Sequence, residues 1–255
     1  MIRIVVEDHQ FRGNRLTLTP EQEHYLFRVM RAGPGTSFEA IVSGTKLFRC
    51  VTAEIGGLVQ CVGTREVSQR VPLYLAQALL KKDLFSEIVE KGTEAGISRF
   101  YPVLTERTIV REISDTKWKR WHSIAKEATE QSQGDRVPNI FPATSLRDLL
   151  TVEATTKVML DAQGKNIWDW VRKQSKAEFS ECLLAVGPEG GFTESEREFL
   201  TSHGFEVVSL GPYVYRAENA GVFAAVVLTA WQASAETTGE IYEMSPEFAR
   251  DGDDF

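Results

Sequence analysis

Residues 183–228, LLAVGPEGGFTESEREFLTSHGFEVVSLGPYVYRAENAGVFAAVVL, read as strand, turn, helix, strand, turn, helix. Residues 183–186 are continuously apolar, as in a strand covered on both faces. Gly187-Pro188-Glu189-Gly190-Gly191 breaks that strand, and its three glycines leave main-chain N–H groups open to close approach. Thr193 and Glu196 have the spacing of a capping box, so a helix is expected to begin at Thr193 and to stop near Gly204. Residues 206–210 give a second buried strand, Gly211-Pro212 turns the chain, and about 216–232 form an alanine-rich, buried helix. Two glycine turns behind two parallel-type strands can line one ligand site, because ligands of open α/β sheets sit outside the carboxyl ends of strands. Either turn alone reads equally well as an ordinary connection. Neither has the glycine spacing of a dinucleotide fold or the Gly-Lys-Ser/Thr of a Walker loop.

Working upstream, strand and helix keep alternating. Residues 71–80 read as a strand ending at Lys81-Lys82-Asp83. A helix follows over 83–95, with Gly96 as its C-cap. Residues 100–104 give the next strand, followed at once by Thr105-Glu106-Arg107. Ser114 caps a long helix to Gln131, with Trp118, Trp121, Ile124, Ala125 and Ala128 on one stripe. A short helix over 146–150 and a strand over 157–160, ending at Asp161-Ala162, complete the alternation. This order of elements predicts a parallel α/β sheet.

The first 70 residues differ. Apolar runs at 2–6, 16–18, 38–42, 47–55 and 58–62 predict several short strands and a small β-barrel. One helix interrupts them, with Thr19 as cap and Pro20 at its first position, running over 21–31 to Gly33-Pro34-Gly35. His24, Arg28 and Arg31 are then spaced to share one face. That face is either a solvated polar surface or a ridge for phosphates, which arginine suits.

Charge is segregated along the chain. The net charge is −7, yet residues 1–139 hold 20 Lys and Arg against 17 Asp and Glu, a balance of +3. Residues 140–255 carry 9 against 19, a balance of −10, and seven of those acids lie after Ala235. A polyanion is therefore expected to meet the N-terminal part. The tail, residues 236–255, is acidic and rich in turn formers. No apolar run approaches a membrane span, and MIRIVVEDHQ has no basic segment leading into an apolar one, so no secretory signal and no membrane partner are expected. Cys50, Cys61 and Cys182 form no C-x-x-C pair; scattered thiols fit a reduced cytoplasm, and no metal site is expected. Cys50 and Cys61 meet only if a hairpin aligns them.

The pairing of Val-Gly-Pro-Glu-Gly-Gly-Phe (186–192) with Ser-Leu-Gly-Pro (209–212), followed by Arg216-x-Glu218-x-Ala220, resembles the SPOUT methyltransferases. More narrowly it resembles the RsmE family, which methylates N3 of a uridine in 16S ribosomal RNA. Further matches to that family are Gln77-Ala78-Leu79-x-Lys81, Lys91-x-Thr93-Glu94-x-Gly96, Thr105-Glu106-Arg107, Arg120-Trp121, Glu127-Ala128-x-Glu130-Gln131-Ser132 and Arg136-Val137-Pro138. The resemblance covers nearly the whole chain.

It implies a PUA-like, RNA-binding barrel over 1–70 and a SPOUT α/β domain over 71–235 with a deep trefoil knot at its C-terminal end. It implies S-adenosylmethionine (SAM) bent in that knot, without a metal. The residues so implicated are Leu160, Asp161, Val186, Gly187, Pro188, Glu189, Gly190, Gly191, Leu210, Gly211, Arg216, Asn219 and Ala220. Arg216 is the candidate cation for charge developing on uracil, and Glu218 is the nearest carboxylate in sequence. His24, Arg28, Arg31, Lys81, Lys82, Arg107 and Arg111 are the candidate RNA contacts. The family usually has arginine where this chain has Tyr213, and threonines where it has Ala217 and Asn219. The activity implied is SAM-dependent N3-methylation of a 16S rRNA uridine, by a cytoplasmic homodimer acting on the 30S subunit. Two alternatives stand beside it: a non-catalytic small-subunit assembly factor, and a SPOUT enzyme acting on another RNA such as tRNA.

Overall fold

The computed structural model describes residues 1–42, 46–52, 59–66, 71–175 and 179–234; the acidic tail lies outside these residues. The chain divides into two compact units, the first taking in residues 129–137 besides the N-terminal stretch.

In the first unit β1 (Ile2–Val6), β2 (Phe11–Arg12), β3 (Arg15–Leu16), β4 (Ser37–Val42), β5 (Lys46–Thr52) and β6 (Val59–Glu66) form a sheet in the order β1-β4-β5-β6-β3-β2. β1 pairs β4 in parallel, and the other neighbours are antiparallel. Ile4, Leu16, Leu26, Phe38 and Ala40 fill its core. The β5–β6 hairpin does align Cys50 with Cys61: they are direct partners, their Sγ atoms lie 2.7 Å apart, and both thiols are buried. Glu39 is wholly buried and ion-paired with Arg3, whose guanidinium also donates to Gly134 O at 3.0 Å. The Val5 amide donates to Glu130 at 2.8 Å. These bonds tie residues 129–137 into the unit.

The helix expected over 21–31 is shorter and of two kinds. Thr19 caps α1 (Pro20–Glu23) in a box closed by Gln22, after which the backbone widens into a π-helical segment, His24–Val29. The Met30 amide reaches back to Tyr25 O, and Arg31 turns into the left-handed region at φ 54°. The i, i+4, i+7 face expected of His24, Arg28 and Arg31 is therefore not formed. A π-turn rotates successive side chains by less than an α-turn does, and Arg31 lies beyond the helix. All three side chains are exposed.

The second unit is the parallel α/β sheet. Its described strands are β7 (Leu73–Ala78), β8 (Ile97–Leu104), β9 (Asn139–Ile140), β10 (Thr144–Ser145), β11 (Thr156–Asn166), β12 (Cys182–Val186) and β13 (Glu206–Ser209). The order is β10-β8-β7-β12-β11-β13, with β9 also on β8, and every pairing is parallel. β7 and β12 are buried along their whole lengths, because helices cover both faces. One layer joins Tyr74, Ala76, Leu183, Ala185, Met159 and Tyr101 to Leu200 and Phe205.

The helices are α2 (Leu84–Glu94), α3 (Asp115–Gln131), α4 (Leu146–Leu149), α5 (Ile167–Val171), α6 (Glu194–Ser202) and α7 (Ala217–Ala233). Thr193 caps α6 with Glu196 as its reciprocal partner, and Gly204 ends it at φ 87°. α7 packs against α2, α5, β7 and β12. Gly221 lets it approach: a Cβ there would lie 2.6 Å from Leu75 Cδ1. Among the described residues no helix is long and apolar enough to cross a membrane.

One strand is longer than the sequence predicts. β11 does not stop at Leu160 but continues to Asn166, pairing β13 on both sides of an irregularity between Leu160 and Lys165. Gly164 permits this, since a Cβ there would lie 2.5 Å from the Val208 backbone nitrogen.

Candidate functional site

The carboxyl ends of β12 and β13 and the middle of β11 open onto a cavity of about 820 Å³, walled by residues 160–163, 186–192, 208–210 and 213–218 with Leu84, Arg107, Arg197 and Ala220. Parallel strands bring these ends together, as the switch-point rule requires. The first glycine turn is folded tightly. The Gly191 amide bonds Pro188 O at 2.8 Å, and a Cβ on Gly187 would lie 2.8 Å from the Phe192 nitrogen. Gly191 itself sits at φ 67°.

Of the residues implicated in cofactor binding, Leu160, Asp161, Val186, Gly187, Pro188, Glu189, Gly190, Gly191, Leu210, Arg216 and Ala220 line this cavity. Gly211 and Asn219 do not: Gly211 serves the turn at φ 126°, and the Asn219 amide bonds Arg216 O within the first turn of α7. Arg216 and Glu218 both reach the cavity, 3.9 Å apart. The Arg216 side chain is largely exposed and that of Glu218 is mostly covered. Asp161 is held by Arg197 at 2.6 Å and accepts the Gln163 amide at 2.9 Å.

Of the residues proposed as RNA contacts, Lys81, Lys82, Arg107 and Arg111 are exposed in this unit. Only Arg107 reaches the cavity wall. Its guanidinium donates to Gly190 O and, at 3.4 Å, to Phe192 O. Arg111 donates to Glu106 O at 3.3 Å. His24, Arg28 and Arg31 belong to the other unit.

Sequence reasoning missed Arg197, Gln163, Val214 and Tyr215, and it singled out Tyr213 only as a departure from the family's arginine, not as part of the wall. Arg197 carried a usable signal, because it stands on the second turn of the helix that follows the glycine turn. Tyr215 packs edge-on against Phe223 at 5.2 Å, whereas Tyr213 and Val214 are among the most exposed large apolar residues described.

The fit to a bent nucleoside cofactor is testable on these atoms. Gln77 Oε1 is buried without a partner, while the same amide's nitrogen lies 3.4 Å from Gly187 O. Gln77 does not line the cavity, so that oxygen lies behind the first glycine turn rather than open to a ligand. The wall sets three carboxylates (Asp161, Glu189, Glu218) against three guanidiniums (Arg107, Arg197, Arg216), a balance suited to a ligand of mixed charge.

This all-parallel sheet, with a pocket walled by the first glycine turn and the residues flanking the second, is that of an RNA methyltransferase domain: the family model so described matches residues 67–229. The chain is 33% identical to the ribosomal RNA small subunit methyltransferase E of Synechocystis, over 89% of this chain and 77% of the relative. It is 32% identical to that of Aquifex aeolicus, over 85% and 95%. A methyltransferase of Legionella pneumophila, solved with SAM bound, superposes with a TM-score of 0.74 at 27% identity, covering 90% of this chain and 97% of that one. The chain belongs to the ribosomal RNA small subunit methyltransferase E family.

Proposed function

We propose that this chain is a SAM-dependent methyltransferase that modifies N3 of a uridine in 16S rRNA within the small ribosomal subunit. The observation that carries this reading is the cavity formed jointly by the first glycine turn, the residues on either side of the second and the start of α7, with Arg216 and Glu218 at its wall. Leu160, Asp161 and residues 186–191 would hold the cofactor's nucleoside, and Leu210, Arg216 and Ala220 its remainder. The cofactor, when bound, supplies a methyl group on a sulfonium.

The protein's own task is positioning and charge. Uracil N3 bears a proton at neutral pH, and negative charge spreads over the ring as that proton leaves. Arg216, exposed and at the cavity wall, faces that charge. Glu218, 3.9 Å away and mostly covered, takes the proton in this reading. N3 is used in base pairing, so the target base must be unpaired or extruded to reach these groups. The first unit is proposed as a PUA-like RNA-binding barrel with His24, Arg28 and Arg31 as phosphate contacts; on the second unit, Lys81, Lys82 and Arg111 are proposed as further ones. The chain is proposed to be knotted where α7 returns across β7 and β12. Support comes from the position of β13 beside β11 rather than β12, and from the close approaches at Gly164 and Gly221. It is proposed to act in the cytoplasm as a homodimer, with Phe223, Val226, Tyr213 and Val214 as apolar surface for the partner copy.

Transfer of tritium from labelled SAM to unmodified 30S subunits and to naked 16S rRNA tests the activity. Nucleoside analysis should return 3-methyluridine. A different methylated nucleoside, or SAM binding without transfer to either substrate, would overturn the assignment.

A further inference from the structure

Arg107 follows the end of β8 and is exposed, which alone would make it one more cation for a polynucleotide. Its bonds point elsewhere. The guanidinium spans two carbonyls of one turn, Gly190 O and Phe192 O, and its Cδ lies 3.4 Å from where a Cβ on Gly190 would be. Two further bonds join the turn and the helix it leads into to the segments that follow β7 and β8. The Lys81 amide donates to Glu189 Oε1 at 3.1 Å, and the Glu106 amide to Glu196 Oε1 at 2.7 Å. Glu196 uses its other oxygen to accept the Thr193 amide at 2.8 Å. Glu189 of the turn and Glu196 of α6 thus accept amides just past two strand ends, while one cation reaches in to the turn's carbonyls.

From this we infer that Arg107 is a positioning residue for the cofactor turn, not a contact for RNA. The inference rests on the reading that this turn holds SAM. Three glycines give residues 187–191 more freedom than a binding turn can keep. A planar guanidinium bonded to both carbonyls fixes the two peptide planes, and it does so from the side of the turn that faces β8. The Gly191 and Thr193 amides are already bonded inside the protein. Those two N–H groups lie in the same peptide planes as the Gly190 and Phe192 carbonyls, so each plane is held at both edges, by an internal bond and by Arg107. Ordering the turn before the ligand arrives lowers the entropic cost of binding.

The test is calorimetric SAM binding to R107A, R107K and G190V, together with the salt dependence of 16S rRNA binding. R107A should weaken SAM by about 10- to 100-fold, the range expected for lost charge-assisted hydrogen bonds. R107K, which keeps a cation that can donate to one carbonyl, should recover part of that loss. R107K carries the test by itself if R107A does not fold. The salt slope of RNA binding should not move. SAM affinity unchanged in R107A while G190V abolishes binding would overturn the role of Arg107 and leave the turn's role standing. A salt slope lowered by about one in R107A, with SAM affinity kept, would make it a phosphate contact instead. Unchanged affinity in G190V would bring down the turn's assignment and this inference with it.

Discussion

Tyr74 shows how a residue can be settled by its surroundings while its type says little. The sequence places it only in an apolar run. In the fold its ring is buried in β7, its hydroxyl donates to Glu181 at 2.9 Å, and Arg99 sits over its face at 4.4 Å. Burial, then the bond to Glu181, pushes the phenol up to about 12 from its usual 10. A raised folded-state value means that the neutral form is the one the fold favours. That stability is present in full below pH 10 and disappears as the pH climbs through about 12. Unfolding midpoints should therefore fall across this window in the wild type and fall less in Y74F; identical pH curves would show that the fold does not hold the phenol neutral. The same contrast runs through the pocket. Gly187 and Gly190 were legible because glycine clusters mark close approach. The partners of Arg197 and Arg107 were not, although both positions were readable, because a bond from an arginine to a carboxylate 36 residues away, or to a carbonyl 83 residues away, leaves no local pattern.

At the level of elements, periodicity found the helices and strands whose stability is local. The capping box at Thr193, the glycine that ends α6 and the continuously apolar β12 all stand where the spacing places them. It failed where tertiary pairing overrides local signals. β11 runs past Asp161 because β13 offers a partner beyond the irregularity, and no sequence window contains both. The π-helical segment His24–Val29 was equally invisible, since its composition is that of an ordinary helix. Its consequence is measurable. Arg28 lies on the widened turn and Arg31 beyond it, so they should act as separate phosphate contacts rather than as a ridge. R28A should lower the salt slope of 16S rRNA binding by about one, with SAM affinity untouched. A slope that stays put would return this turn to plain solvated surface.

For the molecule as a whole, the apolar residues left exposed on and beside α7 are the measurable feature. Tyr213 and Val214 are 75% and 84% exposed, and Phe223 and Val226 are 41% and 51%. The proposed homodimer would cover them, so sedimentation at micromolar concentration should give twice the mass of one chain, and V226E should shift it towards a monomer. A wild-type monomer under those conditions would refute the dimer. Composition pointed to segregated charge but carried no trace of the bonds from Arg3 and Val5 to residues 130–134. Those bonds set an order on synthesis. The earliest strand of the chain waits for partners that leave the ribosome some 70 residues after β6, roughly 4 to 14 s at ordinary elongation rates. During that interval Arg3 can pair with the buried Glu39 carboxylate, but its second bond, to Gly134 O, and the Val5–Glu130 bond still have to form, so the nascent sheet closes its edge only after the α/β unit has begun to emerge.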